Sequence, residues 1–120
     1  MSYPWLEAFC MQQPGTEKEF KAEWNATLYK VGGKMYVMDG GDKDETPIVT
    51  VKLDPLRGDA LRRQYPGAVV PGYYMNKTHW NSIYSAGPVP EDLVRELVSE
   101  SWRLILGSLP KKLQKEIQGA

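Results

Sequence analysis

The stretch TLYKVGGKMYVMD, residues 27–39, carries the clearest local signal in the chain. Two runs rich in valine, tyrosine and methionine flank the pair Gly32-Gly33, and the β-branched and aromatic residues among them favour strands. Glycine accepts positive φ angles without steric cost, so a Gly-Gly pair suits a tight two-residue hairpin. The stretch therefore predicts two antiparallel strands, and we expect a sheet to extend outward from them.

Strand patterns continue on both sides of this hairpin. Upstream, the alternation over residues 18–24 predicts an edge strand. Downstream, IVTVKL (residues 48–53) alternates cleanly and places Val49, Val51 and Leu53 on one face. These patterns extend the sheet to three or four consecutive strands.

Two shorter strand patterns come later in the chain. VVPGYYM (residues 69–75) is interrupted by Pro71 and Gly72. Proline cannot donate to a strand ladder, so this run predicts an edge strand or a bulged one. HWNSIYS alternates again, and we expect a strand that begins at His79 and points Trp80 into the core, where an aromatic ring buries a large area.

The first helical pattern lies near the start of the chain. SYPWLEAFCMQQPG (residues 2–15) places Trp5, Leu6, Phe9 and Cys10 on one helical face. A proline near its beginning and a Pro-Gly pair at its end are typical of helix boundaries. We therefore expect a short amphipathic helix before the sheet.

A second helix is predicted over DPLRGDALRRQY (residues 54–65). Asp54 is a good N-terminal cap, and Pro55 suits a first helical turn. Its expected buried stripe consists of Leu56, Ala60 and Leu61.

The longest helical pattern is PEDLVRELVSESWRLILGSL, which opens at Pro90. Acidic residues in its first turn favour the positive end of the helix dipole. Its wide apolar stripe comprises Leu93, Leu97, Val98, Trp102, Ile105 and Leu109. A short amphipathic tail helix follows, with Leu113 and Ile117 on its apolar face.

The order of these elements predicts an α+β fold. We expect a curved antiparallel sheet of about five to six strands packed by helices, in the order helix, three or four strands, helix, two strands, helix. The 120 residues suit a single domain, residues 1–120, and a hydrophobic content of 42% is enough for a core. The chain has no apolar run of membrane-spanning length and no secretory signal pattern, and its single cysteine cannot form an internal disulfide. These features favour a cytoplasmic protein without a membrane partner.

Enzyme, metal and cofactor patterns are weak. His79 is the only histidine, and a metal site would need further ligands at suitable spacing. A nucleophile–base pair would need Cys10 or a serine brought close to His79 by the fold. The acidic loop DGGDKDE (residues 39–45) lacks the spacing of a calcium loop and is better explained as a solvated hairpin tip. We therefore expect no catalytic residue, no metal site and no cofactor.

Basic and aromatic residues offer a nucleic-acid surface. The chain has 15 basic residues (lysine plus arginine) and 15 acidic residues (aspartate plus glutamate), so its formal net charge is zero. A zero net charge works against a general nucleic-acid binder, but it leaves open a local basic face. Basic grooves with stacking aromatics bind single strands. The basic groups are Arg57, Arg62 and Arg63; Lys111, Lys112 and Lys115; Lys30 and Lys34; and Lys77; the interleaved tyrosines are Tyr29, Tyr36, Tyr73 and Tyr74.

Several motifs resemble those of the MmcQ/YjbR family of small bacterial proteins. PGYYMNKTHWNSI (residues 71–83) matches the family's Asn-Lys-x-His-Trp core, and PVPEDLVRELVSESW (residues 88–102) matches its helix start and its Ser-aromatic pair. GKMYVM (residues 33–38) and VKLDPLRGDALR (residues 51–62) resemble upstream family motifs. The resemblance spans nearly the whole chain in the right order.

The resemblance implies an α+β layout similar to secretion chaperones and CyaY-like proteins. It also implies DNA binding through a double-wing motif, with no catalytic residues to carry over. Asn76 is expected to cap a turn, and Asn76, Trp80 and Trp102 form the structural signature. Lys77 and His79 remain the members of the motif that are free to touch a ligand.

Three functional hypotheses follow. The first is weak DNA binding by phosphate neutralisation; its candidate residues are Lys30, Lys34, Arg62, Arg63, Lys77, His79 and Tyr73. The second is a protein-interaction module, which resembles chaperones that present a sheet surface to a peptide and which suits the balanced charge. The third is an enzyme or a small-molecule binder with a pocket around His79, Asn76 and the tyrosines.

Overall fold

The computed structural model describes residues 2–72 and 75–119. Within them the helices are α1 (Leu6–Gln12), α2 (Pro55–Gln64), α3 (Glu91–Gly107) and α4 (Lys111–Ile117), and a 3₁₀ turn covers Ala22–Trp24. The strands are β1 (Thr16–Lys21), β2 (Ala26–Val31), β3 (Lys34–Gly41), β4 (Pro47–Lys52), β5 (Val69–Pro71) and β6 (Trp80–Tyr84). They form one sheet in the order β1-β2-β3-β4-β6-β5, with every neighbouring pair antiparallel. The predicted α+β class and the order of elements are confirmed. Among these residues, no helix combines the length and apolar character needed to cross a bilayer.

The central hairpin forms as predicted. Gly32 and Gly33 have φ angles of 59° and 81°, the left-handed region that a tight turn requires at both central positions. Strands β1 and β5 lie at the two edges of the sheet, also as predicted. However, β1 ends at Lys21, three residues early, because the chain enters the 3₁₀ turn and then a left-handed Asn25 (φ 47°). Asparagine tolerates that conformation better than most residues.

An extra residue in β3 shapes the centre of the sheet. Tyr29 of β2 pairs with Val37, whereas the next residue, Lys30, pairs with Met35, so Tyr36 is a β-bulge. Tyr36 and Val37 consequently both enter the main core, although neighbours in a regular strand point to opposite faces.

Ser101 of α3 supplies the hydrogen bonds that the bulge needs. Its hydroxyl donates to the Tyr36 carbonyl oxygen at 2.6 Å and accepts the backbone N–H of Lys52 at 2.9 Å. Both bonds join the middle of α3 to the sheet, on β3 and β4. The predicted Ser-aromatic pair is thus structural: Ser101 is fully buried, and Trp102 packs partly against the main core while its indole N–H donates to the Pro14 carbonyl oxygen.

The buried face of α2 differs from the prediction. Leu56 is 79% exposed and Ala60 is also exposed, so only Leu61 of the expected stripe is buried. The other buried residue of α2 is Gly58, where an added Cβ would lie 2.9 Å from Oδ1 of Asn81. The close approach at this glycine, rather than a row of leucines, sets the orientation of α2 on the sheet.

The sheet has a second buried face. Leu28 and Met38 belong to a small cluster with Ala26, separate from the main core, and Met75 packs against it. Trp80 lies on this side, because it pairs with Lys52, and it is half-buried. The prediction that Trp80 points into the main core is therefore wrong.

We expect Ser101→Ala to destabilise the protein by about 2–4 kcal/mol, because the Tyr36 carbonyl and the Lys52 N–H would both lose a buried partner. Chemical denaturation with urea measures the change. Ser99→Ala is the matched control, since Ser99 lies in the same helix and its side chain makes no hydrogen bond with the described residues. Equal stability of the two variants would contradict the assignment.

Candidate nucleic-acid interface

The Asn-Lys-x-His-Trp motif forms a capped turn. The Asn76 side-chain oxygen accepts the backbone N–H groups of Thr78, at 2.8 Å, and His79, at 3.3 Å. The Asn76 carbonyl oxygen accepts the N–H of Trp80 at 3.0 Å, which closes the turn at the first residue of β6. The prediction that Asn76 caps a turn is confirmed.

Arg62 of α2 holds this turn against the helix. Its guanidinium donates to Oδ1 of Asn81 at 2.8 Å and to the carbonyl oxygens of Lys77, at 2.6 Å, and Trp80, at 3.1 Å. Three hydrogen bonds within the protein leave this side chain little freedom to reach a phosphate. Arg62 was predicted as a nucleic-acid contact, and the geometry assigns it first to the architecture of the motif.

Asn81 is a structural part of this unit that the sequence did not reveal. It is fully buried on the main-core side of β6, opposite Val51. Its amide nitrogen donates to the His79 carbonyl oxygen at 3.1 Å, and that oxygen also accepts the N–H of Leu53 at 2.8 Å. An asparagine at a core position of an alternating strand was the available signal, since buried polar side chains are nearly always hydrogen-bonded.

Neighbouring strands of an antiparallel sheet run in opposite directions, so each end of the sheet combines the last residues of one strand with the first residues of the next. One end combines the last residues of β2 and β4 with the first residues of β3 and β6, as the pairs Lys30–Met35 and Lys52–Trp80 show. We call this the basic end. Lys34 also lies here, at the start of β3.

Other candidate residues join the basic end through their contacts. Lys77 belongs to the turn that Arg62 holds beside Trp80, and its ammonium donates to the Gly72 carbonyl oxygen at 3.2 Å. The Lys34 ammonium lies 3.4 Å from the Ser108 hydroxyl, which brings the hairpin tip to the start of the lysine-rich helix α4. The fold thus assembles lysines that are distant in the sequence.

The candidates differ in how available their charges are. Lys30 forms an ion pair with Glu19. Arg63 is exposed and makes no hydrogen bond or ion pair with the described residues. His79 is half-buried and contributes its backbone groups to the turn. Tyr73 lies outside the residues that the structure describes.

Lys52 was not among the predicted residues, although it is half-buried beside Trp80 at the basic end. The alternation of its strand indicated which face of the sheet it is on but not which other lysines lie near it.

The opposite end of the sheet is acidic. Asp39 pairs with Thr27 near the end of β3, and the following turn carries Asp42, Asp44 and Glu45. Asp42 accepts the N–H groups of Asp44 and of Thr46 and the hydroxyl of Tyr84, so the turn is well organised. The acidic turn and the lysines of the basic end therefore lie at opposite ends of the sheet.

A cleft of about 720 Å³ opens at this acidic end, between the N-terminal segment and residues of β1, β2, β3 and β4. Asp39 lines the cleft, and its Oδ1 accepts the Ser2 hydroxyl at 2.8 Å. Burial raises the pKa of this carboxyl above its ordinary value of 3.8, although the bond from Ser2 partly opposes the shift. His79 is not among the residues that line the cleft.

We expect Arg62→Ala to lower the free energy of unfolding by about 2–3 kcal/mol, because Asn81 would be left with a buried, unpaired oxygen. Arg63→Ala is the control: the same charge is removed one residue further along α2 without loss of a hydrogen bond, and we expect a change within about 0.5 kcal/mol. Urea denaturation of both variants measures the difference. A similar loss of stability in the two variants would show that removal of a positive charge, rather than loss of the hydrogen bonds of Arg62, causes the change.

Asp39 gives the protein a specific pH response. Because its pKa is raised on folding, the folded state binds more protons than the unfolded state between the ordinary pKa of 3.8 and the raised value. The ionised carboxylate therefore destabilises the fold at neutral pH, and this cost disappears as the pH falls through that window. We expect Asp39→Asn to raise the thermal midpoint at pH 7 and to lose this advantage towards pH 4. An equal shift at both pH values would contradict the burial argument; Asp44→Asn is the exposed control.

The comparisons with known proteins agree with the motifs. A family model described as YjbR matches residues 11–104. The protein YjbR of Escherichia coli K12 is 31% identical over 110 residues, which cover 92% of each chain. The protein YbdF of Escherichia coli O157:H7 is 34% identical over 91 residues, covering 76% of this chain and 73% of the relative.

Solved structures share the fold. The crystal structure of a Deinococcus radiodurans protein superposes with a TM-score of 0.86 at 29% identity, covering 98% of this chain and 92% of the other. A Pseudomonas syringae crystal structure gives a TM-score of 0.71 at 19% identity, covering 88% and 99%, and supports the fold alone. The family model spans most of the chain, the Escherichia coli relatives align over most of it, and the motif residues form one hydrogen-bonded unit; the protein therefore belongs to the YjbR family.

Proposed function

We propose that this protein binds nucleic acid, weakly and without catalysis, through the basic end of its sheet. The observation that carries the proposal is the strand register, which gathers Lys30, Lys34 and Lys52 at one end while the acidic turn lies at the other. Separation of charge within a neutral protein produces a local positive potential that a phosphate backbone can use. Lys77, in the turn beside Trp80, adds a further positive charge.

Phosphate neutralisation is the expected source of affinity. Each ammonium that contacts a phosphate releases a counterion, so affinity should fall with salt by a slope of about 0.9 per contact on duplex DNA and about 0.7 on a single strand. Few charges are available, because Lys30 is paired with Glu19 and Arg62 is held inside the motif. This limited supply is why we expect binding to be weak.

Trp80 is expected to give this surface a preference for unpaired bases. It is half-buried and is the cross-strand neighbour of Lys52 on the same face of the sheet, so an aromatic and a basic residue lie side by side. An aromatic ring next to a basic path stacks on bases of any sequence, but only where those bases are unstacked. We therefore expect single strands to bind more tightly than duplexes of the same length.

The non-enzymatic part of the proposal rests on two side chains. Burial raises the pKa of the Cys10 thiol to about 12, which works against its use as a thiolate nucleophile. His79 contributes backbone groups to the turn and lies away from the 720 Å³ cleft. Cys10 is a free thiol, which is typical of proteins in the reducing cytoplasm, and nucleic acid is present in that compartment.

We expect the double variant Lys34→Glu with Lys77→Glu to bind labelled single-stranded DNA at least about tenfold more weakly at low salt, with a salt slope shallower by about 1.4. Fluorescence anisotropy at two salt concentrations measures both quantities. The matched control is Lys21→Glu with Lys43→Glu, which changes net charge equally at the acidic end and should leave binding nearly intact.

Two results would remove the proposal. Wild-type protein that does not bind even at low salt would reject nucleic-acid binding for this protein. An equal loss of affinity in the two double variants would show that net charge, rather than the basic end, governs the measurement.

A protein-interaction module is the second candidate, and the edge strand β1 favours it. Strand β1 pairs only with β2, and Phe20 on it is 60% exposed. A free strand edge with an exposed aromatic is a common docking element for an extended peptide. A partner captured from nuclease-treated lysate by the wild-type protein, but not by the Phe20→Glu variant, would support this function. Equal capture by the wild-type protein and the variant would reject it.

A further inference from the structure

The tail helix α4 is held at the basic end of the sheet, on the side of the main core. A Cβ added to Gly32, in the hairpin turn, would lie 2.5 Å from Leu109, two residues before α4 begins. A Cβ added to Gly15 would lie 2.8 Å from Ile117, at the end of α4. Gly15 precedes β1, whose first residue pairs with the last residue of β2. Helix α4 therefore runs from the β2–β3 hairpin turn to the start of β1.

Packing and hydrogen bonds fix α4 in this position. A helix of seven residues is unstable on its own, so contacts with the rest of the protein must hold it. Leu113 and Ile117 pack against the main core. The Gln114 amide nitrogen donates to the carbonyl oxygens of Leu109, at 2.8 Å, and Gly107, at 3.4 Å, and carbonyls at the end of a helix otherwise lack partners within the helix.

Three lysines cover the outer face of α4. Lys111, Lys112 and Lys115 are all exposed, and helical spacing places them opposite the apolar residues that pack on the core. None of the three makes an ion pair or a hydrogen bond with the described residues. Glu116 is the single acidic residue of the helix. The outer face of α4 is therefore a fixed group of available positive charges.

The lysines on the strands and turns of the basic end are less available. Lys30 forms an ion pair with Glu19, and the Lys77 ammonium donates to a backbone carbonyl oxygen. The Lys34 ammonium lies 3.4 Å from the hydroxyl of Ser108, so it points towards the start of α4. Lys34 and the lysines of α4 consequently belong to one basic surface on the helix side of the sheet.

A phosphate backbone fits this surface better than a lipid membrane. A helix that binds a membrane surface buries a free apolar face in it, whereas the apolar face of α4 is already used in the main core. Lysines that contact phosphates position a nucleic acid without reading its sequence. We propose that Lys111, Lys112 and Lys115 of α4, together with Lys34, form the principal phosphate-binding surface of the protein. The inference rests on the proposed nucleic-acid binding and adds the helix that contributes most to it.

Fluorescence anisotropy of the full chain with labelled single-stranded and duplex DNA of equal length tests this inference. We expect Lys111→Gln with Lys115→Gln to bind both at least about tenfold more weakly at low salt, with a salt slope shallower by about 1.4 on the single strand and about 1.8 on the duplex. Glutamine keeps the helix propensity of lysine, so the change removes charge alone. Lys21→Gln with Lys43→Gln is the matched control at the acidic end and should leave affinity nearly intact.

A substitution that strengthens binding separates loss of charge from loss of folding. Glu116→Lys adds positive charge to the exposed side of α4, and we expect it to tighten binding of both DNAs by about threefold at low salt. Asp44→Lys changes the net charge equally in the exposed acidic turn and is the matched control. We expect this control to change affinity much less than Glu116→Lys does.

The outcomes distinguish this inference from the proposed function. Wild-type protein that binds DNA, with equal binding by Lys111→Gln with Lys115→Gln, would overturn the role of α4 and leave nucleic-acid binding intact. Equal changes in each α4 variant and its control would overturn that role as well. Wild-type protein that binds neither DNA would remove both proposals, and binding of polyglutamate instead would assign the α4 lysines to an acidic protein partner.

Discussion

The bulge at Tyr36 is the feature on which the rest of the structure depends. One extra residue in β3 sends two consecutive side chains, Tyr36 and Val37, into the main core. The Tyr36 hydroxyl donates to the Cys10 carbonyl oxygen at 3.2 Å and contacts the Thr16 hydroxyl at 2.7 Å, which ties α1 and β1 to the sheet. Its carbonyl oxygen accepts the Ser101 hydroxyl, which ties α3 to the same residue. A single position in β3 thus fixes the placement of two helices and an edge strand.

The family motif extends this scaffold along the same face of the sheet to β6. Arg62 connects α2 to the turn before β6, and Asn81 connects that turn to the strand beneath it. Gly58 lets the helix approach closely enough for these bonds to form. The positions of His79 and Trp80 therefore depend on hydrogen bonds from Arg62 and Asn81.

Antiparallel topology explains how a neutral chain can have two differently charged ends. Lys30 and Lys34 flank one hairpin turn, while Asp42 and Glu45 belong to the next turn along the chain. Successive turns of an antiparallel meander lie at opposite ends of the sheet. Alternation of basic and acidic turns in the sequence consequently becomes separation of charge in space, and the formal net charge of zero says little about either end.

The sequence predicted the elements whose cause is local. Gly32 and Gly33 determine the central hairpin. Asn76 caps the turn before β6 by accepting N–H groups two and three residues further along the chain. Features set by distant partners were missed or misassigned. The bulge at Tyr36 depends on Ser101, and the exposed position of Leu56 depends on where Gly58 meets Asn81.

The candidate site shows the same division between local and distant causes. The lysines of the basic end were predicted one by one, from local composition. Their assembly depends on strand register, and so does the position of Lys52, which was not predicted. The acidic cleft was also missed, because its walls come from the N-terminal segment and from four strands that meet only in the folded protein.

Mapping of ligand contacts by nuclear magnetic resonance tests most directly whether the basic end of the sheet is the nucleic-acid surface. Backbone amide shifts would be followed as single-stranded DNA is added to the labelled protein. We expect DNA to perturb the amides around Lys34, Lys52 and Lys77 and to leave those around Asp39 and Trp24 unchanged. DNA shifts centred on the acidic turn, or no shifts at all, would contradict the account.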